Sequence, residues 1–385
     1  MQEAGFNRSK SPEMNTSKII RIFGNDYLMG RKVSLLTLGY LAIRDALLRV
    51  LFGKAVKQES PQLEKGWLVV SKIDHIGDLL MITPFLKEVK CQRPNLQIAL
   101  LIGRWNRSLG EFLLKHGYCD RLILFDAFFC NRSGSKLRNS ISAIRDFFSA
   151  WRVLKKMAPQ AFVDLRPFSP NTLLLARLAN IQYRVGFGLR GLSFTIHAEM
   201  TYRPDEPLGQ LFLDGLNQLA MQPIVYAGPA LPSILSPGLK EKLPSTPYVV
   251  VHLSSIEEKR NISPSAWSQV FDELRGRKTI ILVGGANDAL LFEKIRCLTD
   301  CSSIVSLIQK TSMEELLACV EASTGMIGVD SMIAHIACAY HKPTLIIMVK
   351  DISNYPSFPK IPSLQFLSLP EEQGRLKEKL RGFQD

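Results

Sequence analysis

The feature that most narrows what this chain can fold into is a recurring short apolar run followed by a helical pattern. Trp67–Val70, Leu96–Ile102, Arg121–Phe125 and Ala161–Leu165 make one such series. Tyr248–His252, Thr279–Val283, Ser303–Val305, Met326–Val329 and Thr344–Met348 make a second. Runs of this length read as strands, and strands alternating with helices build parallel, doubly wound sheets. Pro223, Pro229, Pro232, Pro237, Pro244 and Pro247 fall between the series, which is a linker signature. The expected plan is an N-terminal extension (1–65), a Rossmann-like domain (66–226), a Pro-rich linker (227–247) and a second Rossmann-like domain with a C-terminal tail (248–385).

Charge narrows the partners. The 385 residues carry a formal net charge of +13, which favours an anionic partner. Nothing in the chain resembles a zinc finger or an RNA-binding aromatic motif, so nucleic acid is not expected. Seven cysteines without a C-x-x-C pair point to reduced thiols and a cytoplasmic protein. The opening residues show no secretory signal. Val33–Phe52 is apolar enough to consider as a membrane span, but Arg44, Asp45 and Arg49 interrupt it. Its polar residues gather roughly on one side of a helical wheel. With Arg31 and Lys32 just before it, such a helix could lie in the plane of an anionic bilayer, or dock on the protein's own surface. The residues before it are polar and read as loose, and Lys57–Lys65 reads as a charged linker.

Several turns fall where strands end and helices begin, the edge at which open α/β sheets bind ligands. Ile327–Ala337 reads as a buried strand, an acidic turn (Asp330-Ser331) and a helix start. Ser331 could cap that helix, whose free amides suit a phosphate. Ser71–Asp78 repeats the design after the first strand, with Gly77 and an exposed Asp78 opening a helix. Asp78 suits a general base, or merely favours the helix N-terminus electrostatically. The G-x-G-x-x-G fingerprint is absent, so a dinucleotide oxidoreductase is disfavoured. His252–Arg260 follows the first strand of the second series; Ser254, Ser255 and Lys259 group two small hydroxyls with a cation, a set that suits an anionic ligand, with Arg260 the alternative cation. Asp288, or else Asn287, could bond a ribose hydroxyl after the Gly284-Gly285 turn. Arg104, among other basic residues of the first half, could bind anionic groups of an acceptor or lie on a solvated surface. Ser312 and Glu315 form a capping box. His335 could be a packed core histidine or a ligand contact.

Taken in order, these segments resemble glycosyltransferase family 9, the ADP-heptose:lipopolysaccharide heptosyltransferases, from roughly Trp67 to Met348. Asp330, Ser331, His335 and Ala337 match the family's D-S/T-G-x-x-H-x-A signature, with Met332 in place of the glycine. Met332 still donates its amide, but it resists positive φ. Gly77, Asp78, Thr83 and Pro84 match the opening motif, with Lys72 standing in for an arginine and His75 at a position that is often basic. Arg184-Val185-Gly186-Phe187, the His252-x-Ser-Ser…Lys259 loop, the Gly-Gly turn and Lys310-Thr311-Ser312 also match, while Asn261 stands where a tryptophan often follows.

The resemblance implies a GT-B-like α/β fold, two Rossmann-like doubly wound domains facing a cleft, with an N-terminal amphipathic helical extension. It implies inverting, metal-independent transfer of heptose or a related sugar from an ADP-sugar to a lipopolysaccharide core acceptor, with no cofactor. By that resemblance Asp78 is the base; Ser254, Ser255, Lys259, Asp288, Asp330, Ser331, Met332 and His335 bind the donor; Lys72 and His75 join Arg104 on the acceptor side. The expected partners are a nucleotide sugar, an anionic glycolipid and an anionic membrane surface at the inner face of the inner membrane. The rival expectations are a transferase of the same fold using another nucleotide sugar or a protein acceptor, and a binding or scaffold protein without turnover.

Overall fold

Strands covered on both faces have no side for polar residues, which is why the central strands read as continuous apolar runs. The computed structural model describes residues 18–22, 25–29, 35–55, 57, 59–125, 136–167, 171–189, 191–349, 358–369 and 373–381. The first described elements are an antiparallel hairpin, β1 (Lys18–Ile22) and β2 (Asn25–Met29), then helix α1 (Leu35–Phe52). The hairpin corrects the expectation of a loose N-terminal segment for its own two strands, while residues 1–17 and Arg31-Lys32 lie outside the described residues. Its first strand carries three isoleucines, residues that favour extended backbone. Among the described residues no helix is long and apolar enough to cross a membrane.

Two six-stranded parallel sheets follow. The first contains β3 (Gly66–Lys72), β4 (Leu96–Ile102), β5 (Arg121–Leu124), β6 (Ala161–Asp164), β7 (Tyr183–Gly186) and β8 (Ala198–Glu199), in the order β5-β4-β3-β6-β7-β8. Its helices are α2 (Ile76–Met81), α3 (Thr83–Gln92), α4 (Arg107–Lys115), α5 (Lys136–Met157), α6 (Asn171–Leu178) and α7 (Leu208–Leu213). After α8 (Pro237–Lys240) the second sheet contains β9 (Tyr248–His252), β10 (Thr279–Leu282), β11 (Ile304–Ser306), β12 (Gly325–Gly328), β13 (Thr344–Met348) and β14 (Leu364–Ser368), in the order β11-β10-β9-β12-β13-β14. With it go α9 (Pro264–Leu274), α10 (Ala286–Arg296), α11 (Met313–Ala322), α12 (Met332–Ala339) and α13 (Leu376–Arg381).

Successive side chains serve opposite faces, as the two-residue strand period requires. Leu68 and Val70 pack in one apolar cluster and Val69 in another. The cluster holding Leu68 and Val70 also contains Val250, Ile281, Met326 and Ile346 of the second sheet. The inner layers of the two halves thus share one apolar core, running through residues of α2, α3 and α12.

Within the two large sheets, the strands that escaped the sequence reading, β7, β8 and β14, are short or carry polar residues. In β7, Arg184 is buried, and its guanidinium donates to the carbonyls of Thr195 and Ile181. The single helical pattern expected after the first strand is split at Ile82. Pro84 cannot donate to the ladder, so α3 starts afresh with Thr83, whose hydroxyl donates to Leu80 O (2.7 Å) and accepts Ala230 N–H (2.8 Å). The Thr-Pro pair therefore stitches the inter-sheet segment to α3.

Candidate active site

In both sheets the first strand is central. The chain steps outward from it on one side, then crosses to its other side. Adjacent strands whose connections leave in opposite directions open a crevice beyond their carboxyl ends. That crevice lies between β3 and β6 in one half and between β9 and β12 in the other. The Asp78 turn leaves β3 and the Asp330 turn leaves β12, so both acidic turns border switch points. They also meet. A side chain added at Gly77 would bring its Cβ to 3.0 Å from His335 Cδ2 and 3.9 Å from Met332 Cα. Glycine at 77 lets the start of α2 approach α12.

On the first side Asp78 occupies the first turn of α2, half-buried, with His75 N–H donating to its carboxylate at 3.2 Å. Burial lifts its pKa above the ordinary carboxylate value, Lys72 opposing and Asp74 adding to the rise. A carboxylate raised in this way is a stronger proton acceptor. Beneath it lies a charge network. Lys72 Nζ bonds Asp74 (2.7 Å) and Leu165 O (2.9 Å) and sits over the Phe212 ring. Arg166 pairs with Asp74 at 2.5 Å. Burial acts to raise Asp74, yet Lys72 and Arg166 hold it below the usual range. Asp164, at the end of β6, accepts from Thr172 (2.7 Å) and Arg166 N–H (3.2 Å), and burial pushes it up to about 7.

This corrects two acceptor-side expectations. Lys72 is 1% exposed and holds Asp74 from within, so it cannot reach a ligand directly. Arg104 is exposed, but its guanidinium grips the buried Asp146 through two bonds of 2.7 and 2.8 Å. His75 remains exposed at the mouth of the turn.

On the second side the expected cations exchange places. Lys259 points into solvent and pairs with Glu257 at 3.0 Å. Arg260 reaches inward to the buried Asp330 at 2.6 Å. Asp288 is corrected outright. Its carboxylate accepts the backbone amides of Leu253 (3.2 Å), Ser254 (2.9 Å) and Gly285 (2.8 Å), clasping the loops after β9 and β10 together. Gly284 has φ +149, and a Cβ there would lie 2.3 Å from Asp288 Cγ, so the Gly-Gly turn serves this clasp and not a ribose. Asn261, where a tryptophan was expected, bonds the Ser255 backbone twice, at 2.6 and 3.1 Å. With their amides so engaged, Ser254 and Ser255 have hydroxyls left to offer.

The start of α12 is the open part. Ser331 occupies the N-cap in extended backbone, but contrary to expectation its side chain makes no capping bond. Its Oγ is buried without a partner, as are Nδ1 of His335 and of His252. Met332 has no positive φ, so replacing the glycine brings no backbone strain. His335 is buried and stacks on Phe358 at 4.2 Å. Burial, aided by Arg260, drops its pKa to about 3; it is neutral, packed on one face and unsatisfied at Nδ1. Capping amides, a cation and unpartnered hydroxyl and imidazole groups together form a setting for an anion. The sequence reading undervalued Arg260 and Asp74 and passed over His252, Arg166 and Asp164. The signal for Asp164 was present: an acid ending a buried strand, the pattern that drew attention to Asp330.

Comparison with known proteins agrees with this fold. Residues 233–348 match the family described as Glycosyltransferase family 9 (heptosyltransferase). Among solved structures, the fold is similar to a family 9 glycosyl transferase from Veillonella parvula (TM-score 0.67, 17% identity, covering 83% of this chain and 91% of that one). It is also similar to E. coli ADP-heptose LPS heptosyltransferase II (TM-score 0.65, 15% identity, 83% and 98% covered). A third similar structure is E. coli heptosyltransferase WaaC with ADP (TM-score 0.63, 14% identity, 82% and 99% covered). No curated protein sequence matches the chain. The resemblance read from the ordered motifs is borne out, and so is the two-domain GT-B fold.

The clasp makes a prediction. Asp288→Ala strands three backbone amides and should lower unfolding stability by about 3 kcal/mol, measured by urea denaturation. Unchanged stability with weakened donor binding would instead make Asp288 a ligand contact.

Proposed function

Taking the chain as a family 9 glycosyltransferase, we propose that it moves heptose or a related sugar from an ADP-sugar to an anionic glycolipid of the lipopolysaccharide core. In this reading residues 66–226 receive the acceptor and residues 248–385 hold the donor. The acceptor is presented at the cytoplasmic face of the inner membrane.

The observation that carries the reading is the juxtaposition across the cleft. A half-buried carboxylate of raised pKa opens α2, while α12 starts opposite it with uncapped amides beside an inward-pointing arginine. An inverting displacement asks for this pair of functions. The acceptor hydroxyl oxygen attacks the anomeric carbon from the face opposite the leaving group. Asp78 takes the hydroxyl proton as the new C–O bond forms. The old bond to the diphosphate breaks, and negative charge grows on the departing phosphate. Arg260, the α12 amides and the hydroxyls of Ser254, Ser255 and Ser331 face that charge, doing with protein groups what a divalent ion does elsewhere. Asp330 is itself anionic, so its part is to hold Arg260 and to contact the sugar. Met332 offers its amide, and His335 lines the contact with Gly77. Asp74, braced by Lys72 and Arg166, sets the field around Asp78.

Two outcomes test these roles in a transfer assay with ADP-heptose and a lipid A–Kdo acceptor. Asp78→Asn keeps an acceptor for His75 N–H but removes the base, and kcat should fall by about 10²-fold or more. Because the base works only when ionised, wild-type kcat/KM should rise with pH through an acid limb above the ordinary carboxylate value of 3.8. That limb should vanish in the variant. Equal rates would refute the base, and no product from wild type with any donor would refute transfer. Arg260→Ala should weaken ADP binding by about 10- to 100-fold and Lys259→Ala should leave it nearly unchanged, as read by calorimetry. The reverse order would restore Lys259 as the phosphate cation.

A further inference from the structure

Amphipathic helices dock by the apolar side; α1 instead buries a charged pair within its docked face, beside Leu41, Ala42 and Leu48. Asp45 is 0% exposed and accepts Leu192 N–H at 2.9 Å, with Arg44 bonded to the same carboxylate at 2.7 Å. A Cβ at Gly191 would lie 2.4 Å from that carboxylate, so a glycine accommodates the docking. Arg177 of α6 holds the far end by donating to Phe52 O at 2.7 Å. What this arrangement leaves outside is the apolar stripe: Tyr40, Ile43, Leu47, Val50 and Leu51 are 61–85% exposed.

The stripe has a neighbour of the same character. On α5, Ile144 and Phe148 are 58% and 53% exposed, one helical turn apart, with Arg152 and Lys155 continuing that outer face. Helix α6 links the two, through Arg177 to α1 and through Leu178 O, which accepts Trp151 Nε1–H of α5 at 3.0 Å. Charge decides the occupant. The only acidic residues on α1, α5 and α6 are Asp45 and Asp146, and both are buried and paired with arginines. The acids of these three helices are therefore turned inward, and their outer faces carry apolar and basic side chains. A second copy of this chain would bring the same positive charge. An anionic bilayer supplies both the missing charge and an apolar phase.

We propose that α1, together with the outer face of α5, is a docking surface for an anionic phospholipid bilayer. The helix lies in the interfacial plane with Tyr40, Ile43, Leu47, Val50 and Leu51 below the headgroups, and its buried Asp45 pair fixes it to the acceptor-side domain. This deepens the membrane part of the proposed function, but its test reads binding and not transfer, so the two can fail separately.

The test is cosedimentation of the full chain with vesicles of phosphatidylcholine alone and of an equal mixture with phosphatidylglycerol. Wild type should bind the mixed vesicles, more weakly as salt is added. Ile43→Ser/Leu47→Ser/Val50→Ser changes exposed positions only, so its melting temperature should match wild type while vesicle affinity falls by about tenfold or more. Arg152→Glu/Lys155→Glu should remove the preference for the anionic mixture. Absence of wild-type binding, or equal binding by the folded serine variant, would overturn the proposal. So would a wild-type dimer that the serine variant converts to monomer, since a second copy would then cover the face.

Discussion

The close packing of α2 against α12 is the constraint on which the rest depends. Each helix leaves the central region of its own sheet at a switch point, and each begins with an acidic turn. Each turn supplies one half of the proposed chemistry: Asp78 the base, and the α12 amides the phosphate contact. Gly77 lets the two meet, because any side chain there would press on the His335 ring. The shared apolar core beneath joins the halves on either side of the opening. Close approach of backbone is the reason for glycine at 77, and it explains why the glycine precedes the aspartate in the sequence.

Around that contact, much of the polar chemistry is support. Lys72 and Arg166 hold Asp74 ionised beside Asp78, so the field at the proposed base depends on the network beneath it. On the other side Asp288 gathers backbone amides from two loops, and Asn261 closes the Ser255 turn. Two departures from the family pattern lose their force as arguments for a scaffold without turnover. Met332 sits in ordinary backbone, and Asn261 gives its loop an internal clasp where tryptophan was missing.

The sheets were legible because buried parallel strands write themselves as apolar runs: Leu96–Ile102, Tyr248–His252 and Thr344–Met348 coincide with their strands. β7 and β14 were hidden because Arg184 and Gln365 break that pattern. The turns of the site were legible as positions, since Gly77-Asp78 and Asp330-Ser331 stand at strand ends. Side-chain direction was not. Adjacent cations on one loop, Lys259 and Arg260, point to solvent and to Asp330 respectively, and nothing in their order tells which. The same holds for Lys72, whose basic character suggested a ligand but whose place at the end of a buried strand turned it inward. Helix α1 shows the limit most plainly: its wheel gives the two faces, but the docking against Leu192 decides which one water or lipid meets.

The most direct test of the central claim is the crystal structure of the full chain with ADP bound. The account predicts phosphate oxygens within hydrogen-bonding distance, about 2.7–3.2 Å, of the amides opening α12, with Arg260 turned onto them and Asp78 across the cleft. Phosphates seated elsewhere, or an α12 start left uncapped with ADP present, would contradict it.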